Sequence, residues 1–184
     1  MAAAQAASVA DIISQVKRPE KTVPICLAGD LQAEFEDLER DLAIARDQPA
    51  EGTLAGGANP MATQIAQQIM ELRERMREHT RVFRFRGKPR KEYSDLVASC
   101  PPNEEDREKG AEVDWETFSV ALVSACAVEP KMSVEEAEQL ADVLTQAQWD
   151  SLVTAAFSVN KRDVDVPFSF AASAILQSSR KNSK

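Results

Sequence analysis

Two segments of the chain carry apolar side chains at every third or fourth position, which is the spacing of one face of an α-helix. The first segment begins at Asp30, and the second ends just before His79. The stripe residues are Leu31, Phe35, Leu38, Leu42 and Ala45 in the first segment, and Ile65, Ile69, Leu72 and Met76 in the second. Each stripe is narrow, so a partner surface must cover it. We therefore predict an antiparallel helical hairpin over residues 23–80.

The connection between the two predicted helices, residues 47–60, is rich in Pro, Gly and Ala and has Gly56 and Gly57 at its centre. It is longer than most connections between helices, and adjacent glycines have few conformational restrictions. We expect this connection to be a mobile loop.

After the second stripe, the helical spacing gives way to strict alternation. Phe83 and Phe85 fall on one face of an extended segment, and Arg84 and Arg86 fall on the other. A second alternating stretch, 163–166, places Asp between Val residues, and its acidic side chains suit the arginines across a strand pair. The sequence thus predicts at most a short two-stranded β element.

The second half of the chain has the features of a compact helical bundle. Segment 115–127 is apolar on almost every side, as expected for a helix surrounded by others. Capping boxes, in which Ser or Thr is followed three residues later by Glu or Gln, open two further helices at Ser133 and Thr145. A last segment, 168–176, again has one apolar side. We predict that the bundle spans residues 113–176.

These features predict a mainly α protein, with an N-terminal helical hairpin, a compact C-terminal helical bundle and the small β element between them. The predicted order is a flexible segment at 1–22, the hairpin at 23–80, a basic strand or linker with a short helix and an acidic loop at 81–112, the bundle at 113–176 and a disordered basic tail at 177–184.

Acidic side chains outnumber basic ones by 30 to 22, which gives a net charge of −8. This balance disfavours binding to nucleic acid or to anionic lipid, and no long apolar run marks a membrane span. The exception is a basic run at 81–91, where Arg84 and Arg86 are candidates for docking an acidic protein partner. A solvated or internally paired strand, and contact with nucleic acid, are the alternatives for this run.

The residue types that carry most enzyme chemistry are scarce. His79 is the only histidine, whereas hydrolytic triads and histidine-ligated metals need at least one well-placed imidazole. Cys26, Cys100 and Cys126 are too widely spaced for a paired zinc motif, and no glycine-rich phosphate loop occurs. We therefore predict no catalytic residue, no metal site and no cofactor, and a protein that is not an enzyme.

Several short patterns occur in the order and spacing of a known family. They are Phe83-Arg84-Phe85, Lys88 to Leu96, Cys100-Pro101-Pro102, Trp115-Glu116-Thr117-Phe118, Glu129-Pro130, Gln148-Trp149 and Val166-Pro167-Phe168. With these patterns the chain resembles the tail assembly chaperones of phages that infect actinobacteria, over roughly residues 23–176.

The resemblance implies a small helical protein of the bacterial host cytoplasm that catalyses no reaction. Its partner would be the tape measure protein, which it keeps soluble while the tail tube polymerises, and it would be absent from the mature virion. A longer form made by ribosomal frameshifting would contact tail tube subunits. Two other classes stay open, namely a structural tail or connector subunit of the virion and a helical adaptor for a cellular partner.

Chaperoning requires apolar stripes that a client can cover, so we assign partner binding to the hairpin and to the basic strand. The predicted partner-binding residues are Leu31, Phe35, Leu38, Leu42, Ile65, Ile69, Leu72, Met76, Arg84 and Arg86. The stripes have two other ways of being covered, by each other or by self-association with a second copy of the chain. A further alternative places the client groove in the second half, around Trp115, Phe118 and Trp149.

Overall fold

A computed structural model describes residues 8–47 and 59–162 of the chain. These residues form eight helices and three strands. In chain order they are α1 (Val9–Gln15), β1 (Glu20–Cys26), α2 (Asp30–Asp47), α3 (Pro60–Glu78), β2 (Thr80–Arg86), α4 (Arg90–Ser99), α5 (Glu104–Glu108), α6 (Trp115–Cys126), β3 (Ala127–Glu129), α7 (Val134–Val143) and α8 (Gln146–Lys161).

Several predicted features fall outside the described residues. They are the centre of the mobile loop at 48–58, the alternating stretch 163–166, the helical segment 168–176 and the basic tail 177–184. The segment predicted to be flexible, 1–22, contains α1 and the start of β1.

The fold is mainly α, but its β element is larger than predicted. Three strands form an antiparallel sheet in the order β1-β2-β3, so the predicted limit of two strands is wrong. β2 is the strand predicted from the alternation of Phe83 and Phe85, and it lies between the other two. β1 has only Val23 and Ile25 as apolar inner residues, with Pro24 between them, and β3 has three residues. β1 therefore lacks a regular alternation, and β3 is too short, to be recognised by pattern.

Pro24 fits into β1 because β1 is an edge strand. Leu27 N–H donates to the His79 carbonyl at one end of the β1–β2 pair (3.0 Å), and Gly87 N–H donates to the Pro19 carbonyl at the other (2.9 Å). The backbone groups of the odd-numbered residues of β1 therefore exchange hydrogen bonds with β2. The backbone N–H and C=O groups of the even-numbered residues point away from β2. The missing N–H of Pro24 breaks no bond of the ladder.

α2 and α3 form an antiparallel hairpin. Asn59 Nδ2 at the start of α3 donates to the Ala45 carbonyl near the end of α2 (2.9 Å). At the opposite end, the Arg75 guanidinium lies 3.5 Å from the Glu34 carboxylate. With 19 residues, α3 is about 28 Å long, and the two helices pack mainly on each other.

The hairpin is inserted between two paired strands. Cys26, the last residue of β1, pairs with Thr80, the first residue of β2. The chain thus leaves and re-enters the sheet at neighbouring points. Gln148 Nε2, in the first turn of α8, donates to the Cys26 carbonyl at this junction (2.9 Å). The hairpin projects from one end of the sheet, and α8 holds its base.

α6 and α8 cover one face of the sheet and enclose the core. Phe83 and Phe85 of β2 point toward these helices and are buried. The core residues with 0% or 1% exposure in this region are Phe85, Phe118, Leu122, Val123, Cys126, Leu152, Ala155 and Ala156. The small side chains of Ala155 and Ala156 allow α8 to lie close to the strands.

Both predicted capping boxes are confirmed. Ser133 N–H donates to the Glu136 carboxylate (2.7 Å), and Glu136 N–H donates back to the Ser133 hydroxyl (3.2 Å). Thr145 and Gln148 make the same reciprocal pair at the start of α8. Because each box satisfies two backbone donors, it fixes the residue at which its helix begins.

Gly87 marks the closest approach of the sheet to α8. A Cβ atom at this position would collide with the backbone carbonyl of Val159. The next residue, Lys88, donates its N–H to Asn160 Oδ1 (2.7 Å), which fixes the same contact. Only glycine, which has no Cβ atom, allows the backbone of α8 to lie this close to position 87.

We expect Gly87→Ala to lower the free energy of unfolding by about 2 kcal/mol, because a collision with backbone cannot be relieved by rotating a side chain. Gly29→Ala is the matched control, since no atom lies within 4 Å of the Cβ it would add. Urea unfolding followed by circular dichroism measures both variants. Equal stability of the two variants would contradict the close contact between Gly87 and α8.

Candidate partner-binding groove

A groove of about 760 Å³ opens between α4, α6 and α8. Aromatic and aliphatic side chains line much of it, together with several charged ones. The residues that determine its chemistry are Lys88, Arg90, Tyr93, Glu112, Trp115, Phe118, Phe157, Asn160 and Lys161. All three helices pack around the core described above, so the groove is formed by elements of that core.

Trp115 is the main exposed aromatic side chain of the groove. It is the first residue of α6 and follows Asp114, whose carboxylate accepts the Thr117 N–H (3.2 Å) and caps the helix. Its indole is 56% exposed, although one side lies against Phe118 with ring centroids 5.9 Å apart. Phe157 of α8 is 37% exposed in the same groove. Aromatic side chains of this kind are enriched among the residues that dominate binding energy at protein interfaces.

Tyr93 of α4 is held in place from two sides. Its ring meets Phe118 edge-on, with centroids 6.3 Å apart. Lys161 Nζ lies 5.3 Å from the Tyr93 ring centroid, which is a cation–π contact. Burial is the main cause that raises the pKa of Tyr93 above its ordinary value. The phenol therefore stays protonated at neutral pH and keeps a hydrogen-bond donor in the groove.

Basic side chains outnumber acidic ones along the groove. Lys88, Arg90 and Lys161 line it, against Glu112 as the acidic residue. Lys88 Nζ also lies 3.6 Å from Glu92, one turn along the chain. This excess of positive charge is opposite in sign to the chain as a whole, which carries −8. The groove therefore suits a segment with apolar and acidic side chains.

Asn160 connects the groove to the core. Besides accepting the Lys88 N–H, its side chain donates to the Ala156 carbonyl (2.8 Å) and contacts Cys126 Sγ (3.2 Å). Burial raises the pKa of the Cys126 thiol, so this thiol is protonated at neutral pH. Asn160 thus holds the end of α8, which carries Phe157 and Lys161, against β2 and α6.

The predicted stripe residues meet inside the hairpin. Leu31, Ala45, Ile69 and Leu72 are buried, and the other five are half-buried, namely Phe35, Leu38, Leu42, Ile65 and Met76. The two stripes therefore cover each other, which is one of the alternatives that the sequence leaves open. The large apolar side chains that the described part of the hairpin exposes lie outside the stripes and are Ile44, Met61 and Met70.

Arg84 and Arg86 lie on the sheet face that points away from α6 and α8. Arg84 Nη2 is 3.0 Å from the Glu129 carboxylate of β3, and Arg86 Nε is 2.6 Å from the Glu20 carboxylate of β1. These ion pairs join neighbouring strands, and exposed pairs of this kind contribute about 0–1 kcal/mol. The structure thus favours the internally paired alternative for the basic strand, with acids from β1 and β3.

Within residues 8–47 and 59–162, no group of three or more His, Cys, Asp or Glu side chains is arranged to hold a metal ion. His79 follows α3 and donates its backbone N–H to the Arg75 carbonyl (3.3 Å). No helix in the described part of the chain combines the length and apolar character that a membrane crossing requires.

Comparison of the chain with protein-family models, curated proteins and solved structures found no match. We therefore infer function from the groove and from the sequence patterns.

The groove was only partly foreseeable from the sequence. Trp115 and Phe118 of the alternative client groove lie in it, whereas Trp149 is 9% exposed and belongs to the core. Tyr93 and Phe157 are not among the predicted site residues, because they come from helices far apart in the chain. The sequence does contain one sign of the groove. Phe157 and Lys161 are four residues apart in α8, so they lie on the same face of that helix.

We expect the two tryptophans to differ sharply in their contribution to stability. Trp149→Ala should lower the free energy of unfolding by about 3–5 kcal/mol, because it empties a filled core site. Trp115→Ala should lower it by about 1 kcal/mol or less, because most of the indole already contacts water. Thermal and urea unfolding of the two variants measure the difference. A loss as large for Trp115→Ala as for Trp149→Ala would show that Trp115 is a core residue.

Proposed function

We propose that this protein is a tail assembly chaperone, which binds the tape measure protein of a long-tailed phage and keeps it competent for tail tube polymerisation. Two observations support the proposal, namely the resemblance in residue patterns and the groove with its exposed aromatic side chains. In this role the protein works in the cytoplasm of the bacterial host, catalyses no reaction and is absent from the finished virion.

The observation that carries the proposal is the exposure of both Trp115 and Phe157 in one groove. A large aromatic side chain gains free energy by leaving water, so clustered exposed ones favour association with a partner. Both side chains belong to helices that pack on the core, and a preformed groove reduces the entropy lost when a partner binds.

A helix of the client is the partner that fits this surface. Amphipathic helices bind apolar grooves with side chains spaced three and four residues apart, and acidic side chains on their flanks would face Lys88, Arg90 and Lys161. The client in this proposal is a long helical chain, so one chaperone can bind any of its segments with that pattern. Several copies would then cover one client molecule.

The hairpin is the second surface in this proposal. Its stripe residues are engaged with each other, so client binding or self-association there would use the exposed Ile44, Met61 and Met70 or would require the seam to open. In a longer frameshifted form, the added domain would contact tail tube subunits. The hairpin and the groove can be tested separately, because they share no residue.

We expect Trp115→Ala combined with Phe157→Ser to reduce client capture about tenfold or more, since central aromatic residues each contribute about 2 kcal/mol or more to binding. The measurement is co-expression of the tagged chain with the tape measure protein of the same phage genome, followed by affinity purification. Circular dichroism checks that the variant is folded.

The matched control is Ile44→Ser combined with Met70→Ser, which removes two exposed apolar side chains from the hairpin. This control should retain the client. Loss of the client in the hairpin variant alone would move the client site to α2 and α3. Failure of the unmodified chain to capture or solubilise the client would refute the chaperone function itself.

We also expect the protein to be missing from purified phage particles. A chaperone leaves when the tail tube is complete, whereas a tail or connector subunit stays in a fixed number of copies. Quantitative mass spectrometry of particles, with the tube subunit as the internal standard, makes this distinction. Stoichiometric recovery of the chain would instead make it a structural component of the virion.

A further inference from the structure

We propose that residues 163–170 of the chain itself occupy the groove when no client is bound. The groove is the one assigned above to the client, and the competitive part of this inference therefore depends on the proposed function. The contact between this segment and the groove, called the self-contact below, can be tested without any client.

The first reason is the place where the described chain ends. Phe157, Asn160 and Lys161 form part of the groove, and Arg162 follows directly. The described chain therefore ends next to the groove. Eight extended residues span up to about 26 Å, so the segment 163–170 needs no linker to lie along it.

The second reason is the apolar pattern of the segment. Val164, Val166, Phe168 and Phe170 alternate with Asp163, Asp165, Pro167 and Ser169. An extended chain with this sequence has all four large apolar side chains on one face. The groove offers exposed aromatic surface from Trp115 and Phe157 as their counterpart.

The third reason is charge. The other face of the segment carries Asp163 and Asp165 at its start, closest to Lys161. Lys88 and Arg90 line the same groove. Coulomb attraction at short range favours acidic side chains at this end of a groove that carries three cations.

A second open surface of α8, on its first half, fits the segment less well. It lies between β1 and α8 and is lined by Asp150, Ser151 and Thr154, with Lys21 as its one cation. Asp150 would repel the aspartates, and the apolar part of the lining, Val23 and Pro24, includes no aromatic side chain. The groove at Trp115 is therefore the site that the segment's chemistry selects.

Occupation by the chain itself would regulate client binding. A client helix and the segment 163–170 need the same aromatic surface, so one must leave before the other binds. If the segment fills the groove nine tenths of the time, the apparent dissociation constant for the client rises about tenfold.

The contact is tested in the full chain by placing the photo-crosslinking residue p-benzoylphenylalanine at position 168. Irradiation without client should join this position to peptides that contain Tyr93, Trp115 or Phe157, and dilution should not change the yield. Crosslinks confined to the hairpin or to β1, or crosslinks that vanish on dilution, would overturn the self-contact.

The competition is tested with Phe168→Ser combined with Phe170→Ser, also in the full chain. This variant should bind the tape measure protein several-fold more tightly than the unmodified chain, whereas Ser169→Ala, on the other face of the segment, should leave the affinity unchanged. Equal affinity of all three proteins would overturn the competition and leave the chaperone function standing. Crosslinking at Trp115 in a protein that never binds the client would support the self-contact and refute the proposed function.

Discussion

Burial of the two phenylalanines of β2 is the interaction on which the rest of the fold depends. Phe83 and Phe85 leave the sheet on one side and pack under α6 and α8, and Phe85 has no exposed surface. Side chains alternate along a strand, so the same register turns Arg84 and Arg86 to the opposite face, where acids of β1 and β3 pair with them. The strand thus fixes at once which face is core and which is solvated. α4 follows directly from it, and the groove lies where α4 meets the two covering helices.

The helices were more predictable from the sequence than the strands, for a physical reason. Helix spacing and capping boxes depend on residues three or four positions apart, so the signals at Ser133 and Thr145 are complete within one turn. β1 and β3 form through hydrogen bonds to β2, which is distant in the sequence from β1. β3 has only three residues, and β1 is interrupted by Pro24. Nothing local to either segment reveals that a partner strand exists.

Periodicity identified the residues that share a face but not the surface that covers this face. The stripes of α2 and α3 have the composition of a binding seam, and yet Leu72 is 1% exposed because the opposite helix already covers it. Conversely, Trp115 reads as a core residue within an apolar helix. It is exposed because it is the first residue of α6, at the end of the helix and outside the turns that the other helices cover. The groove brings together α4, α6 and α8, and its assembly depends on tertiary packing that no short window of sequence contains.

The position of the hairpin between two hydrogen-bonded strands has an evolutionary consequence. Its two ends enter the sheet at Cys26 and Thr80, which face each other, so the whole element acts as an enlarged β-turn. Adding or deleting one helical turn in both α2 and α3 would alter its reach by about 5 Å without shifting the register of the strands. Related chains are therefore free to diverge in the size of this element while the body that carries the groove stays the same. Length variation among such relatives should be concentrated between these two residues, where selection can match the reach of the hairpin to different partners.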